Sequence, residues 1–208
     1  MNKLIDISPR ISPEIAVWPG DVPFRRDVAL DMAEGANLTL SAMHTTFHVG
    51  AHADGPNHYI KEGVGIGERP LELYFGPCQV MTVDIGRGLR IQPEHLNEEI
   101  SAPRLLLRTD SFPDPNHFNE DFSSLSAPLV EHIASLGVRL VGIDTPSVDL
   151  FSDKELESHN VIAKHDMAVL EGLVLSHVPD GNYTLIALPL RLDDADASPV
   201  RAALLKTD

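Results

Sequence analysis

The densest group of side chains able to bind a metal lies in one stretch, His44-Thr-Thr-Phe-His48-Val-Gly50-Ala-His52-Ala-Asp54-Gly-Pro56-Asn-His58. Imidazole nitrogen combined with carboxylate oxygen suits zinc and accommodates manganese, iron or cobalt, whereas calcium and magnesium favour an all-oxygen set. On a helix His48 and His52 would share a face, but Gly50, Gly55 and Pro56 argue against a helix here. An extended or looping chain follows, and in local strand geometry His48, Gly50, His52, Asp54, Pro56 and His58 would point to one side. Fully extended, residues 48 and 52 would stand about 13 Å apart, near the limit at which two imidazoles can share an ion. The chain must therefore curl. Gly50 gives it the freedom to do so, and its missing side chain would leave room for an ion between the flanking imidazoles.

One loop seldom supplies a whole catalytic site, so a second segment must contribute. Ser158-His159-Asn160 and His165-Asp166 are the candidates, together with Glu171 in the apolar stretch Val169-Leu170-Glu171-Gly172-Leu173. A buried Glu171 needs a partner, a cation such as a metal being one remedy; on the solvent face of a half-exposed strand it needs none. His44, His95, His117, His132 and His177 lie outside the cluster and read as surface or packed histidines. Asp144-Thr145-Pro146-Ser147 follows an apolar strand and either lines the site or forms a turn capped by its aspartate. Neither Ser147 nor Cys78 has the sequence context of a nucleophile, and Cys78 reads as a small buried residue.

The elements that must position these groups are mostly strands. Strand character marks Leu4 to Ile7, the alternation Leu38, Leu40 and Ala42, then Val80 to Ile85, Leu105 to Arg108, Val138 to Ile143 and Tyr183 to Leu190. One helix is well signalled: Ser126 caps it, Pro128 sits in its first turn, Leu129, Ile133 and Leu136 recur at helical spacing, and Gly137 ends it. Weaker helix signals cover Pro93 to Ile100 and part of Asp153 to Lys164. With no regular βαβ alternation and no Gly-rich phosphate loop, a dinucleotide-binding fold has little support. The expectation is a mixed α/β fold.

Sixteen basic against 31 acidic residues in 208 give a formal net charge of −15, which disfavours binding to nucleic acid or to an anionic membrane. No apolar run approaches the roughly 18 residues of a membrane span. Prolines and glycines are spread along the whole chain without a linker or repeat, so residues 1–208 read as one domain. A single cysteine and the charged, proline-containing start lead to the expectation of a cytoplasmic protein.

The pattern His48-x-Gly50-x-His52-x-Asp54-x-Pro56-x-His58 resembles the signature of the cyclase-like metal-dependent hydrolases. Further matching segments are Trp18-Pro19-Gly20, Gly76-Pro77-Cys78, Gly142-Ile143-Asp144-Thr145-Pro146-Ser147, Leu170-Glu171-Gly172, Ala187-Leu188-Pro189-Leu190 and Ala197-Ser198-Pro199-Val200-Arg201-Ala202. Together they run in order along nearly the whole chain and are similar to the bacterial kynurenine formamidase (arylformamidase) group of that family. Ala51 departs from the threonine common there, at a position that is not a ligand.

The resemblance implies a swivelling β/β/α domain with a mixed sheet and two zinc ions per chain, manganese or cobalt being possible. His48, His52 and Asp54 would serve one ion, and Asp54 and Glu171 would bridge to a second held by His159, in preference to His165. His58 would be the catalytic acid/base, with a further metal ligand as its alternative role. Trp18 would form a wall of the substrate pocket, or else simply be a core aromatic. The implied reaction is hydrolysis of N-formyl-L-kynurenine to L-kynurenine and formate by a metal-bound hydroxide, in tryptophan degradation. Family likeness also implies a homodimer or higher homo-oligomer. Two other readings are a related hydrolase acting on a cyclic amide such as isatin, and a metal-binding protein without turnover.

Overall fold

The computed structural model describes residues 4–206; Met1 to Lys3 and the last two residues, which the single-domain expectation includes, lie outside the described residues. The strands are β1 (Leu4–Asp6), β2 (Arg25–Leu30), β3 (Leu40–His44), β4 (His52–Asp54), β5 (Phe75–Thr82), β6 (Arg90–Ile91), β7 (Arg104–Arg108), β8 (Ser124–Leu125), β9 (Leu140–Ile143), β10 (Ala168–Glu171), β11 (Gly181–Ile186), β12 (Ala197–Pro199) and β13 (Ala203–Lys206). Two α-helices, α1 (Ala127–Ser135) and α2 (Glu157–Lys164), accompany them.

Nine strands form one mixed sheet in the order β1-β13-β11-β5-β7-β9-β10-β4-β12. Its centre, β5-β7-β9-β10, is parallel, and the strands flanking it pair antiparallel. The chain crosses from β7 to β9 through α1 and from β9 to its parallel neighbour β10 through α2. Two strand-helix-strand crossovers are thus present where the sequence pattern suggested none. Each is masked by the irregular segments around a short helix.

Strand alternation sorts the core into two layers. Leu106, Leu140 and Leu170 face one layer, which also holds Ile7, Tyr74 and Leu185. Leu105, Leu107, Val141, Ile143 and Val169 face the other, against Leu129 and Ile133 of α1 and Ile162 of α2. Glu171 shares the parity of Val169, so its side chain belongs on the helix-covered face. The antiparallel register then sets His52 directly opposite Glu171, with Ala53 opposite Leu170. This register brings the two halves of the chemistry together.

Helix α1 starts as its sequence predicts: the Ser126 hydroxyl accepts from the Leu129 amide at 3.2 Å, and Gly137 takes φ +88° beyond its end. The second helix covers only the last part of Asp153 to Lys164. Pro93 to Ile100 is not a helix. It makes one 3₁₀ turn, Pro93–His95, in which the His95 ring accepts from the Gln92 amide, and Leu96 leaves in extended conformation. The strand expected to reach Leu190 ends at Ile186, and the one expected to begin at Val80 begins at Phe75.

The histidine stretch curls. Gly50 has φ +63°, His52–Asp54 is strand, and Pro56–His58 is a 3₁₀ turn. The reason for a glycine at position 50 differs from the expected one. A Cβ there would point at Pro9 Cγ (3.1 Å) and Ile15 Cδ1 (3.3 Å), so the missing side chain makes room for these neighbours and not for an ion. At Gly172, with φ +65°, a Cβ would lie 2.2 Å from the Gly50 carbonyl oxygen. Two glycines in the left-handed region therefore let the histidine loop press against the end of β10.

Candidate active site and its relatives

His48, His52, Asp54, His58, His159 and Glu171, all expected from the sequence, converge within one region of the structure. His52 Nε2 lies 3.4 Å from Asp54 Oδ1 and 3.3 Å from Glu171 Oε2, and His48 Nδ1 lies 3.1 Å from Asp54 Oδ1. From the opposite side His159 Nε2 lies 3.4 Å from Asp54 Oδ2 and 3.5 Å from Glu171 Oε1. Asp54 thus offers one oxygen to the His48 and His52 side and the other to the His159 side. Glu171 divides its two oxygens between His52 and His159.

Several of the atoms that face one another here are buried without hydrogen-bond partners. His52 Nε2, both carboxylate oxygens of Asp54 and His159 Nε2 are among the buried polar atoms that no hydrogen bond satisfies. Leaving so many polar atoms unpaired in one place is costly, and the cost disappears if cations sit between them. Ligand atoms of His52, Asp54 and Glu171 lie within 4.8 Å of one another, and so do those of His48, Asp54 and His58. The donor set, imidazoles with carboxylates, fits a transition metal.

Without a cation, His48, His159 and Asp54 shift one another's proton affinity. Burial alone would lower the His48 imidazole, but the charge of Asp54 and bonds to Asp54 and Asp196 raise it to about 9. Burial likewise opposes the charged form of His159, yet Asp149, Asp54 and Glu171 hold it well above its ordinary value. Burial would raise Asp54, and the charge of His48 with the contact from His159 more than reverses this. His58 moves the other way. Burial lowers it, which favours the neutral ring.

His58 is the most exposed of the group, its side chain 37% accessible, with its ring 4.3 Å from that of His48. His165 stands apart, bonded to Glu131 at the surface. Glu171 is buried, and its Oε1 accepts from the Val148 amide at 2.7 Å, so its place on a solvent face is ruled out. Asp144 lines the cavity from the end of β9 and accepts from the Thr109 amide and hydroxyl and from the Asp110 amide at the end of β7, so its partners lie outside its own turn.

The cluster forms the floor of a cavity of about 620 Å³, lined also by Trp18, Phe112, Phe118, Pro146 and Ser147. Trp18 faces this cavity and packs against Phe118 (5.5 Å) and Phe151 (5.0 Å), and at 37% exposure it is a wall residue, not a core aromatic. Sequence reasoning missed Asp149, whose Oδ2 accepts from His159 Nδ1 at 2.8 Å, and Asp196, 2.9 Å from His48 Nε2. Only its closeness to the Ala197-Ser198-Pro199 segment could have pointed to Asp196. Asp149 carried no signal.

The raised imidazoles make a prediction for the metal-free protein. A group raised from 6.5 to about 9 on folding contributes stability that is complete below pH 6.5 and lost as the pH climbs through 9. Chelator-treated protein should therefore lose thermal stability between these values. Added zinc should stabilise increasingly over the same window, because a ligating imidazole must be deprotonated. Melting curves with and without metal across this range check both slopes.

Comparison with known proteins agrees with this geometry. Residues 5–150 match the family described as "Putative cyclase". The kynurenine formamidase of Maricaulis maris is 41% identical over 206 residues, covering 98% of each chain. That of Bordetella pertussis is 45% identical over the same length and coverage. A solved structure described as a potential metal-dependent hydrolase with cyclase activity superposes with a TM-score of 0.84 at 23% identity, covering all of both chains. Isatin hydrolase A from Labrenzia aggregata superposes with a TM-score of 0.84 at 21% identity, over 99% of this chain and 94% of its own, a likeness of fold. With a family match over most of its length and relatives at this identity over nearly all of it, the chain belongs to the cyclase family of hydrolases, among the kynurenine formamidases.

Proposed function

We propose that the protein is a metal-dependent arylformamidase that hydrolyses N-formyl-L-kynurenine to L-kynurenine and formate, in tryptophan breakdown. The observation that carries this reading is the set of unpaired buried ligand atoms on Asp54, His52 and His159, with Glu171 beside them, at the floor of an aromatic-walled cavity. Full-length relatives that bear this activity in their names support the substrate. The isatin hydrolases support only kinship within the family, since their likeness is one of fold.

In this reading His48, His52 and Asp54 hold one divalent ion, zinc in the first instance, and Asp54, Glu171 and His159 hold a second. When bound, the ions lower the pKa of water and polarise the formyl carbonyl. Asp54 and Glu171 would keep the loaded site from being excessively cationic. His58, beside the cluster and with burial favouring its neutral ring, would take the proton released by the attacking water. It then delivers that proton to the anilide nitrogen, which leaves poorly unless protonated as the C–N bond breaks. Trp18 offers a flat apolar surface to the aryl ring, worth about 0.5 to 1.5 kcal/mol beyond area burial.

The test is release of kynurenine from N-formyl-L-kynurenine by chelator-stripped protein during stepwise addition of zinc. Activity should return as occupancy approaches two ions per chain. His52→Ala and Asp54→Ala should lose metal and activity together. His58→Ala should keep both ions and slow turnover by about 100-fold or more, and loss of an ion instead would make His58 a ligand. Trp18→Ala should mainly raise KM. Full occupancy without turnover would contradict the formamidase reading and turn attention to cyclic amides.

The proposal includes a cytoplasmic homodimer. The single cysteine, Cys78, is a free buried thiol, compatible with a reducing compartment. Among the described residues no helix is long and apolar enough to cross a membrane. Strands β2 and β3 form a separate ribbon, paired only with each other, on which Val28, Leu30, Leu40 and Met43 are 42 to 61% exposed. Such an apolar ribbon is a candidate for burial against a second copy, by the same patch on each. Sedimentation equilibrium should give twice the chain mass of 22.7 kDa or a higher multiple, and a monomer at micromolar concentration would contradict this part.

A further inference from the structure

The three histidines of the buried cluster are supported in different ways. His52 Nδ1 rests on the carbonyl oxygen of Gly50 at 2.9 Å, and His48 Nε2 meets Asp196, a carboxylate 47% exposed. His159 alone of the three is backed by a buried carboxylate that is itself clamped by an arginine. Asp149, 1% exposed, accepts at Oδ2 from His159 Nδ1 (2.8 Å) and the His159 amide (3.1 Å), and at Oδ1 from the Ser158 amide (2.9 Å) and Arg90 Nη1 (2.9 Å).

We infer that Arg90 and Asp149 are a positioning pair that fixes the orientation and tautomer of His159 and so sets the strength of the cation position this histidine shares with Glu171. The inference rests on the metal-site reading above. Its chemistry is local. An imidazole whose Nδ1 donates to a carboxylate presents its Nε2 lone pair on the opposite edge, and here that edge faces Asp54 and Glu171.

Helix α2 needs this arrangement for its own reasons. The residue before its first turn, Leu156, has φ +52° and no side chain that can cap. The free amides of the first turn are therefore met from outside, by Asp149 at Ser158 and His159 and by Asp153, whose Oδ2 accepts from Glu157 (3.4 Å) while its Oδ1 accepts from Glu155 (2.8 Å) and Leu156 (3.2 Å) just before the helix. Arg90 joins the two carboxylates. Its Nη1 reaches Asp149 and the Leu125 carbonyl (2.8 Å), while its Nη2 donates to Asp153 Oδ2 at 2.5 Å. Without the guanidinium, Asp149 would be a buried anion lacking its cationic partner; with it, the carboxylate is held in an ion pair by a group that also reaches Glu157 Oε1 at 3.1 Å.

The test measures affinity and stoichiometry for zinc, by competition with a chromophoric chelator, on the full chain after chelator stripping. Asp149→Ala should weaken one equivalent by 10- to 100-fold and leave the other within about twofold. Asp149→Asn, which keeps an acceptor for Nδ1 but not the charge, should fall between. Arg90→Lys should recover part of the affinity that Arg90→Met loses, because a single ammonium cannot reproduce the two-armed contact. A fall in Tm with all zinc affinities unchanged would show that the pair only stabilises the helix and would overturn the inference. If Asp149→Ala does not fold, the Asn and Arg90 variants give the same decision. A wild-type chain that binds no zinc would overturn the metal-site reading itself, and the inference with it.

Discussion

Two carboxylates are buried side by side in this protein, and much of its central architecture accommodates that fact. Asp54 and Glu171 both lie within 3.4 Å of His52 Nε2, both are at most 3% exposed, and neither oxygen of Asp54 has a hydrogen-bond donor. Such a pair cannot remain charged inside a protein without positive charge between its members. In the proposed working state metal ions held with the surrounding histidines supply it. The same constraint explains why the histidine loop must press against the end of β10, and why glycines stand at positions 50 and 172, where the two segments meet.

The sheet delivers this pairing by register. Period-2 alternation places Glu171 on the helix-covered face of β10, and antiparallel pairing with β4 sets His52 across from it. A slip of one residue would exchange His52 and Glu171 for Ala53 and Leu170 and bury the chemistry in the wrong layer. Helix α2 then lowers His159 onto the pair from one side, and the 3₁₀ turn at Pro56–His58 brings His58 to the rim. Chemistry is thus concentrated where two strands and two irregular connections meet, while the aromatic wall comes from Trp18 and the phenylalanines near it.

Much of the site was legible because its ligands are types that rarely crowd together by chance. His48, His52, Asp54 and His58 announced themselves by spacing, and Glu171 by its place within an apolar run. The choice of His159 over His165 came from family likeness, and the structure sets His159 in the cluster and His165 on the surface. Asp149 and Asp196 could not be read, since each acts through a contact far away in the chain. Helix α1 was readable from its cap and its stop. Strands β2, β10, β12 and β13 were not: β2 is fully exposed and charged at one end, and the others are three or four residues long, too short for a periodic signal. Pro93 to Ile100 carried helix-forming residues, but a single turn closed by Gln92 and His95 used up that propensity.

The central claim is that the buried pair of Asp54 and Glu171 exists to hold metal. Crystals grown with zinc, with data collected on both sides of its absorption edge, test it directly. Two anomalous peaks in contact with Asp54, one shared with His48 and His52 and the other with His159 and Glu171, are the predicted result. Absence of any peak between these side chains at saturating zinc, with the carboxylates still buried, would contradict it.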